Sequence, residues 1–205
     1  MINASEAIQR LKEGNQRFAS GVRSIDTLVK QTQRADFVGG QAPFAVILGC
    51  SDSRVPAEII FDQGLGDLFV IRVAGNIVAP SQVGSVEFAV ERFGTPLVVV
   101  LGHSMCGAVT ATIDELERPS QDKSSNVLSI VNRIRPSVEP LYNTNLRDDP
   151  AQLLDAAIRA NILTATNHLR HGSQVLEQLI MNHEITVVGA EYSLETGIVE
   201  FFETI

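Results

Sequence analysis

The sequence predicts an α/β fold, a mostly parallel central β-sheet flanked by helices. Three observations carry this expectation. Residues 44–49 (Phe-Ala-Val-Ile-Leu-Gly) and 97–102 (Leu-Val-Val-Val-Leu-Gly) are near-continuous apolar runs closed by glycine, the pattern of strands buried on both faces. Segments with helical spacing lie between such runs, the alternation that parallel strands require of their crossovers. A further run at 185–189 follows more helical segments near the end of the chain.

Taken in order, Asn3-Ala4-Ser5-Glu6 has the form of a capping box, and Ile8, Leu11 and Phe18 recur at helical spacing, so residues 4–19 are expected to form an amphipathic helix. A lone helix ahead of the sheet must lie on its own sheet or on a partner subunit, and its sequence does not choose. Residues 21–41 show no clean period and are expected to wrap over the surface. A loop at Cys50 follows strand 44–49, then a short helical stretch at 56–61 opened by Pro56, then a second strand at 67–72. Ser81 reads as the cap of a helix with the stripe Val83, Val86, Val90 and Phe93, stopped by Gly94, and Phe88 falls off that stripe. Strand 97–102 leads into His103, and residues 107–116 continue as a helix. Residues 118–126 read as a polar loop and 127–135 as a short helix closed by Pro136. Leu154, Ile158, Ile162, Ala165 and Leu169 trace a long amphipathic helix ending near Gly172, and Ser173 caps another running to about Asn182. After strand 185–189, residues 192–202 read as two extended pieces around the hairpin-like turn Glu195-Thr196-Gly197.

A length of 205 residues predicts one domain, residues 1–205, large enough to bury a real core. The formal charge of −8 argues against nucleic acid as a partner, because phosphate binding needs a basic surface. Residues 1–20 hold no continuous apolar stretch of the kind found in signal peptides or membrane spans. No membrane partner and a cytoplasmic location are therefore expected.

The chain has two cysteines, and each stands where an apolar run ends: Cys50 in Cys50-Ser51-Asp52-Ser53-Arg54, and Cys106 in His103-Ser104-Met105-Cys106. Ligands at two such strand ends can converge in the crevice beyond the carboxyl edge of a parallel sheet. Two thiolates, an imidazole and a carboxylate are donors that Zn²⁺ prefers, and four of them complete a tetrahedron. In an extended loop Cys50, Asp52 and Arg54 point to one side, while His103 and Cys106 share a face of a first helical turn. A disulfide between the cysteines is the alternative, and it leaves His103 and Asp52 unexplained. The ligand set stays open at this level. With Cys50, Asp52, His103 and Cys106 all bound, the centre is closed; if Asp52 instead pairs with Arg54, the fourth position is free for water. Asp52 can then act as a gate.

Cys-x-Asp-x-Arg and His-x-x-Cys, the latter followed by Gly107, resemble the motifs of the bacterial-type β-class carbonic anhydrases. The resemblance runs from Glu13-Gly14-Asn15-Gln16-Arg17-Phe18 to Glu195-Thr196-Gly197, nearly the whole chain. It implies a zinc enzyme that reversibly hydrates CO2 to bicarbonate and a proton by attack of zinc-bound hydroxide. It also implies a homodimer or dimer of dimers, with the N-terminal helical arm packed on a partner subunit. By matching positions, Cys50, His103 and Cys106 are the implied metal ligands, joined by Asp52 in the closed state only. Asp52 and Arg54 are the implied catalytic dyad, orienting the hydroxide or gating the metal. The implied substrate pocket comprises Gln41, an amide that bonds substrate oxygen; Phe69, an apolar wall; Phe88, at a position often held by tyrosine and contributed across a dimer interface; and the Gly107 N–H. Some bacterial members use a tryptophan in an inhibitory bicarbonate site. Ile47 stands there in this chain, so that regulation is not expected, although Arg72 of the same constellation is retained. His168, His171 and His183 are expected to be surface or packing residues.

Two rivals keep the zinc: a carbon disulfide or carbonyl sulfide hydrolase of the same fold, and a non-catalytic protein with a closed metal. A cysteine phosphatase is excluded, because the Cys50–Arg54 loop is too short and carries a carboxylate that repels phosphate. Ser51, Ser53 and Ser104 show no triad partners in the sequence.

Overall fold

The computed structural model describes residues 2–32, 38–119 and 124–202. Among these, five strands form one sheet in the order β2-β1-β3-β4-β5. The strands β1 (Ala45–Gly49), β2 (Leu68–Arg72), β3 (Leu97–His103) and β4 (Thr186–Tyr192) are parallel, and β5 (Val199–Phe201) returns antiparallel to β4. The chain leaves β1 for β2 on one side and for β3 on the other, so the order reverses between β1 and β3. A crevice opens beyond the carboxyl ends of strands at such a reversal.

Every residue of β1 and β3 is buried, which explains their unbroken apolar sequence. Alternation sends Val46, Leu48, Val98, Val100 and Val187 to one face, against α4 (Pro80–Phe93), α5 (Gly107–Glu117), α6 (Ser125–Tyr142), α7 (Pro150–His171) and α8 (Gln174–Met181). Ala45, Ile47, Val99, Leu101 and Val188 go to the other, under α1 (Ala4–Ala19) and α3 (Ala57–Ile60).

Helix α1 starts at the expected capping box, with Asn3 Oδ1 accepting from Glu6 N and Glu6 Oε2 accepting from Asn3 N. Of the two surfaces open to it, its own sheet takes the buried stripe of Ala7 and Leu11. Gly14 allows a close approach, since a Cβ there would lie 1.8 Å from Phe61 O. Asn15 then ties three segments together: its Nδ2 donates to Ile60 O and Gly197 O, and its Oδ1 accepts from Val199 N.

Four expectations are corrected. The segment 21–41 is not all surface wrapping, because α2 (Ile25–Thr32) forms within it; residues 33–37 lie outside the described residues. Helix α4 begins at Pro80 with Ala79 as its cap residue, two positions before Ser81, because the fixed φ of proline suits a first turn. Helix α6 does not stop at Pro136. It starts after Ser124 and runs through Pro136 and Pro140 to Tyr142, its buried Val131, Ile134 and Val138 outweighing the lost backbone bonds; residues 120–123 of the expected loop lie outside the description. Strand β4 continues to Tyr192, so the first extended piece of the expected hairpin is the end of β4.

Candidate metal centre

Cys50 directly follows β1, His103 ends β3, and Cys106 caps α5, so the strand reversal and one helix start bring three donors together. Their ligand atoms all lie within 4.8 Å of one another, the one such group among the described residues. All three residues are buried, His103 completely. Both cysteines are free thiols, which corrects the disulfide alternative.

The donor set fits zinc. His103 Nδ1 lies 2.9 Å from Ser104 O, and a carbonyl can only accept, so Nδ1 carries the proton and Nε2 presents a lone pair. Nε2 is buried and makes no hydrogen bond in the chain. An orphaned imidazole nitrogen facing two thiols is what a soft divalent cation needs. The sulfurs divide their protons unequally. The Cys106 thiol beside Cys50 holds Cys50 at about 4, while the Cys50 thiolate and then burial push Cys106 far up. First-turn N–H groups of Val109 and Ala108 pull Cys106 the other way. Burial works against a charged His103, but the adjacent Cys50 and Asp52 charges outweigh it and raise its pKa.

Asp52 is held apart from this cluster. Arg54 grips it with a two-pronged pair, Nε to Oδ1 at 2.9 Å and Nη2 to Oδ2 at 2.7 Å, while the Arg54 backbone N–H also donates to Oδ1. The Arg54 hydrogen bonds hold the Asp52 carboxyl well below the usual range. Its Oδ2 stands 3.9 Å from His103 Nε2, at the edge of the donor set. The arrangement is thus three protein donors with a carboxylate alongside, the pattern of a catalytic metal site rather than a closed one.

The loop is anchored from behind. Arg72 donates to Cys50 O at 3.0 Å and Asp52 O at 2.6 Å, and Gly75 N donates to Cys50 Sγ at 3.3 Å. Sequence reasoning did not find Gly75, because nothing in its local sequence points 25 positions back. Gly107 opens α5, where a first-turn N–H has no intrahelical acceptor, and a Cβ on it would meet nothing within 4 Å.

Of the remaining pocket residues, Gln41 stands at the opposite end of β1 from the cluster. Gln41 is exposed and precedes β1, whereas Cys50 follows it, so a strand of about 16 Å separates them. Phe69, Phe88 and Phe93 form an aromatic group with ring centroids 5.8–6.2 Å apart, in which Phe88 is 53% exposed. His168, His171 and His183 are exposed.

Fold and site define a class: an open α/β protein with two sulfurs and one imidazole gathered, as a divalent metal would need them, at the point where strand order reverses. The chain belongs to the carbonic anhydrase family, whose model matches residues 45–199. It is 39% identical over 195 residues to carbonic anhydrase 2 of Mycobacterium tuberculosis, covering 95% of this chain and 91% of that one. It is 37% identical over 198 residues to the carbonic anhydrase of Mycolicibacterium smegmatis, covering 97% and 93%. The solved structure of the β-carbonic anhydrase CcaA superposes with a TM-score of 0.77 at 26% identity, covering 96% and 95% of the two chains.

Proposed function

We propose that this chain is a zinc-dependent carbonic anhydrase, reversibly hydrating CO2 to bicarbonate and a proton, in which the Asp52–Arg54 dyad manages the attacking nucleophile. Cys50, His103 and Cys106 would hold the metal. Zinc bound there supplies the Lewis acidity that makes water nucleophilic near neutral pH. The observation that carries the reading is the Asp52 carboxylate, clamped by Arg54 3.9 Å from the unpartnered His103 Nε2. Kept ionised, Asp52 accepts a hydrogen bond from the nucleophile's O–H and so turns an oxygen lone pair toward the carbon of CO2. Arg54 keeps that carboxylate off the metal. The Gly107 N–H is placed to donate to an oxygen of the substrate as negative charge develops there. The names of the relatives favour CO2 over carbon disulfide or carbonyl sulfide.

We read the chain as one domain, residues 1–205, that works as a homodimer or dimer of dimers. Gln41, Phe69 and Phe88 are then placed to serve the centre of a second copy. Ile25, Leu28 and Val29 on α2, part of the N-terminal arm, and Phe88 on α4 leave apolar surface that a second copy can cover. Two reduced thiols suit a cytoplasmic location, and no described helix is long and apolar enough to cross a membrane.

Stopped-flow CO2 hydration against pH, with zinc content measured on the same sample, tests the reading. Hydration that rises with pH at about one zinc per chain is expected. Arg54→Ala frees Asp52 to bind the metal and should abolish most activity at neutral pH; full activity in that variant sinks the gate. Zinc without hydration at any pH sinks the CO2 reading, leaving the sulfur substrates first and a closed structural metal second.

A further inference from the structure

We propose that Asn161 is a positioning residue for the metal centre, holding the Gly75 turn so that a backbone N–H stays on the sulfur of Cys50. Asn161 lies on α7, is 3% exposed, and donates from Nδ2 to Gly75 O at 2.9 Å. Gly75 in turn donates its N–H to Cys50 Sγ at 3.3 Å. Gly75 and Asn76 both have positive φ, 69° and 43°, a region open to glycine and, among other residues, most often entered by asparagine. A Cβ on Gly75 would meet Ile134 Cδ1 at 2.6 Å, so the turn is wedged against α6 as well. Such a conformation persists where its surroundings over-determine it, and the Asn161 amide, reaching across 86 positions, is the polar part of that constraint.

An N–H on a ligating sulfur withdraws charge from it and fixes the direction of its lone pairs. Partners of this kind tune metal affinity about 10–100-fold. Asn161 also lines a cavity of about 680 Å3 between α4, α6 and α7, from which water can reach the space its truncation leaves.

The test uses the full chain loaded with zinc, cobalt or cadmium. Asn161→Leu, close to isosteric, should weaken zinc 10–100-fold by chelator competition and shift the sulfur-to-cobalt charge-transfer band. Thr166→Val is the control: Thr166 is equally buried on the same helix, but its hydroxyl bonds Ile162 O instead of the turn. It should lower thermal stability without moving either signal. In wild-type protein loaded with NMR-active cadmium, the Gly75 amide proton should couple to the metal through Sγ. Zinc affinity within twofold of wild type and an unmoved band in Asn161→Leu overturn the proposal, as does a wild-type spectrum with no coupling at Gly75. The proposal rests on the metal site itself, and wild-type protein that takes up no zinc removes both. If Asn161→Leu does not fold, Asn161→Ala and the cadmium coupling decide.

Discussion

Cys50 and Cys106 reach the same cluster with different proton loads, and that asymmetry sets how the centre fills. Cys50, held near 4, is a thiolate across the neutral range, whereas Cys106 must give up a proton to become a ligand. Zinc affinity should therefore strengthen about tenfold per pH unit for the Cys106 proton, and more steeply on the acid side where His103, its pKa raised, must lose one too, measured by chelator competition between mildly acid and neutral pH. A pH-independent affinity contradicts it. The Asp52–Arg54 pair has its own window. Because the Asp52 carboxyl is depressed, its contribution to stability is whole above the unfolded carboxyl value of about 4 and is lost as pH falls through the lower folded value. The stability gap between wild type and Arg54→Ala should stay flat down to about pH 4 and close only below it. Asp52→Asn keeps the shape but not the charge, and should lose about 100-fold or more in hydration while retaining zinc. Cys50, Asp52, Arg54, His103 and Cys106 were legible because each motif is short and sits at a strand end. Gly75 and Asn161 were not, since their bonds span 25 and 86 positions.

Helices and strands were read well where one face alone decides them. The stripe of α7 and the capping box of α1 are local facts, and the structure contains both. Pro136 was misread because its local cost is opposed by contacts the sequence does not display: Val131, Ile134 and Val138 of α6 are buried between α5 and α7. Pro136→Ala should therefore stabilise the protein by about 1–3 kcal/mol in urea unfolding, with no change in zinc content. A destabilised variant would mean that the proline is shaping α6. Asn15 is the opposite case, a polar residue in a helix that the pattern passes over. Asn15→Ala leaves Val199 N–H and Gly197 O without their side-chain partner and should cost about 2–4 kcal/mol. A loss under about 0.5 kcal/mol would show that water replaces the amide.

Across the whole molecule, the strand order explains why the ligands meet and Gln41 stands apart from them. Cys50 and His103 leave neighbouring strands on the carboxyl side of the sheet, whereas Gln41 enters on the amino side. If Gln41 serves a second copy, activity must complement between chains. Gln41→Ala keeps the metal centre and Cys50→Ser keeps the glutamine, so mixing the two weak variants should restore hydration in heterodimers. No recovery after subunit exchange, confirmed by mass, would place Gln41 outside the site. The α/β class was legible from the apolar runs; the place of Gln41 at the amino end of β1 was not, because a linear motif match does not say which end of a strand a residue occupies.

The Asn15 clasp also has a schedule. Its partners Gly197 and Val199 stand 182 and 184 positions later, so a ribosome adding about 5–20 residues per second delivers them about 10–40 s after Asn15 itself. For most of that interval only the Ile60 arm of the clasp, 45 positions away, is within reach of the amide, so the helix is held to α3 well before it is tied to the last strand.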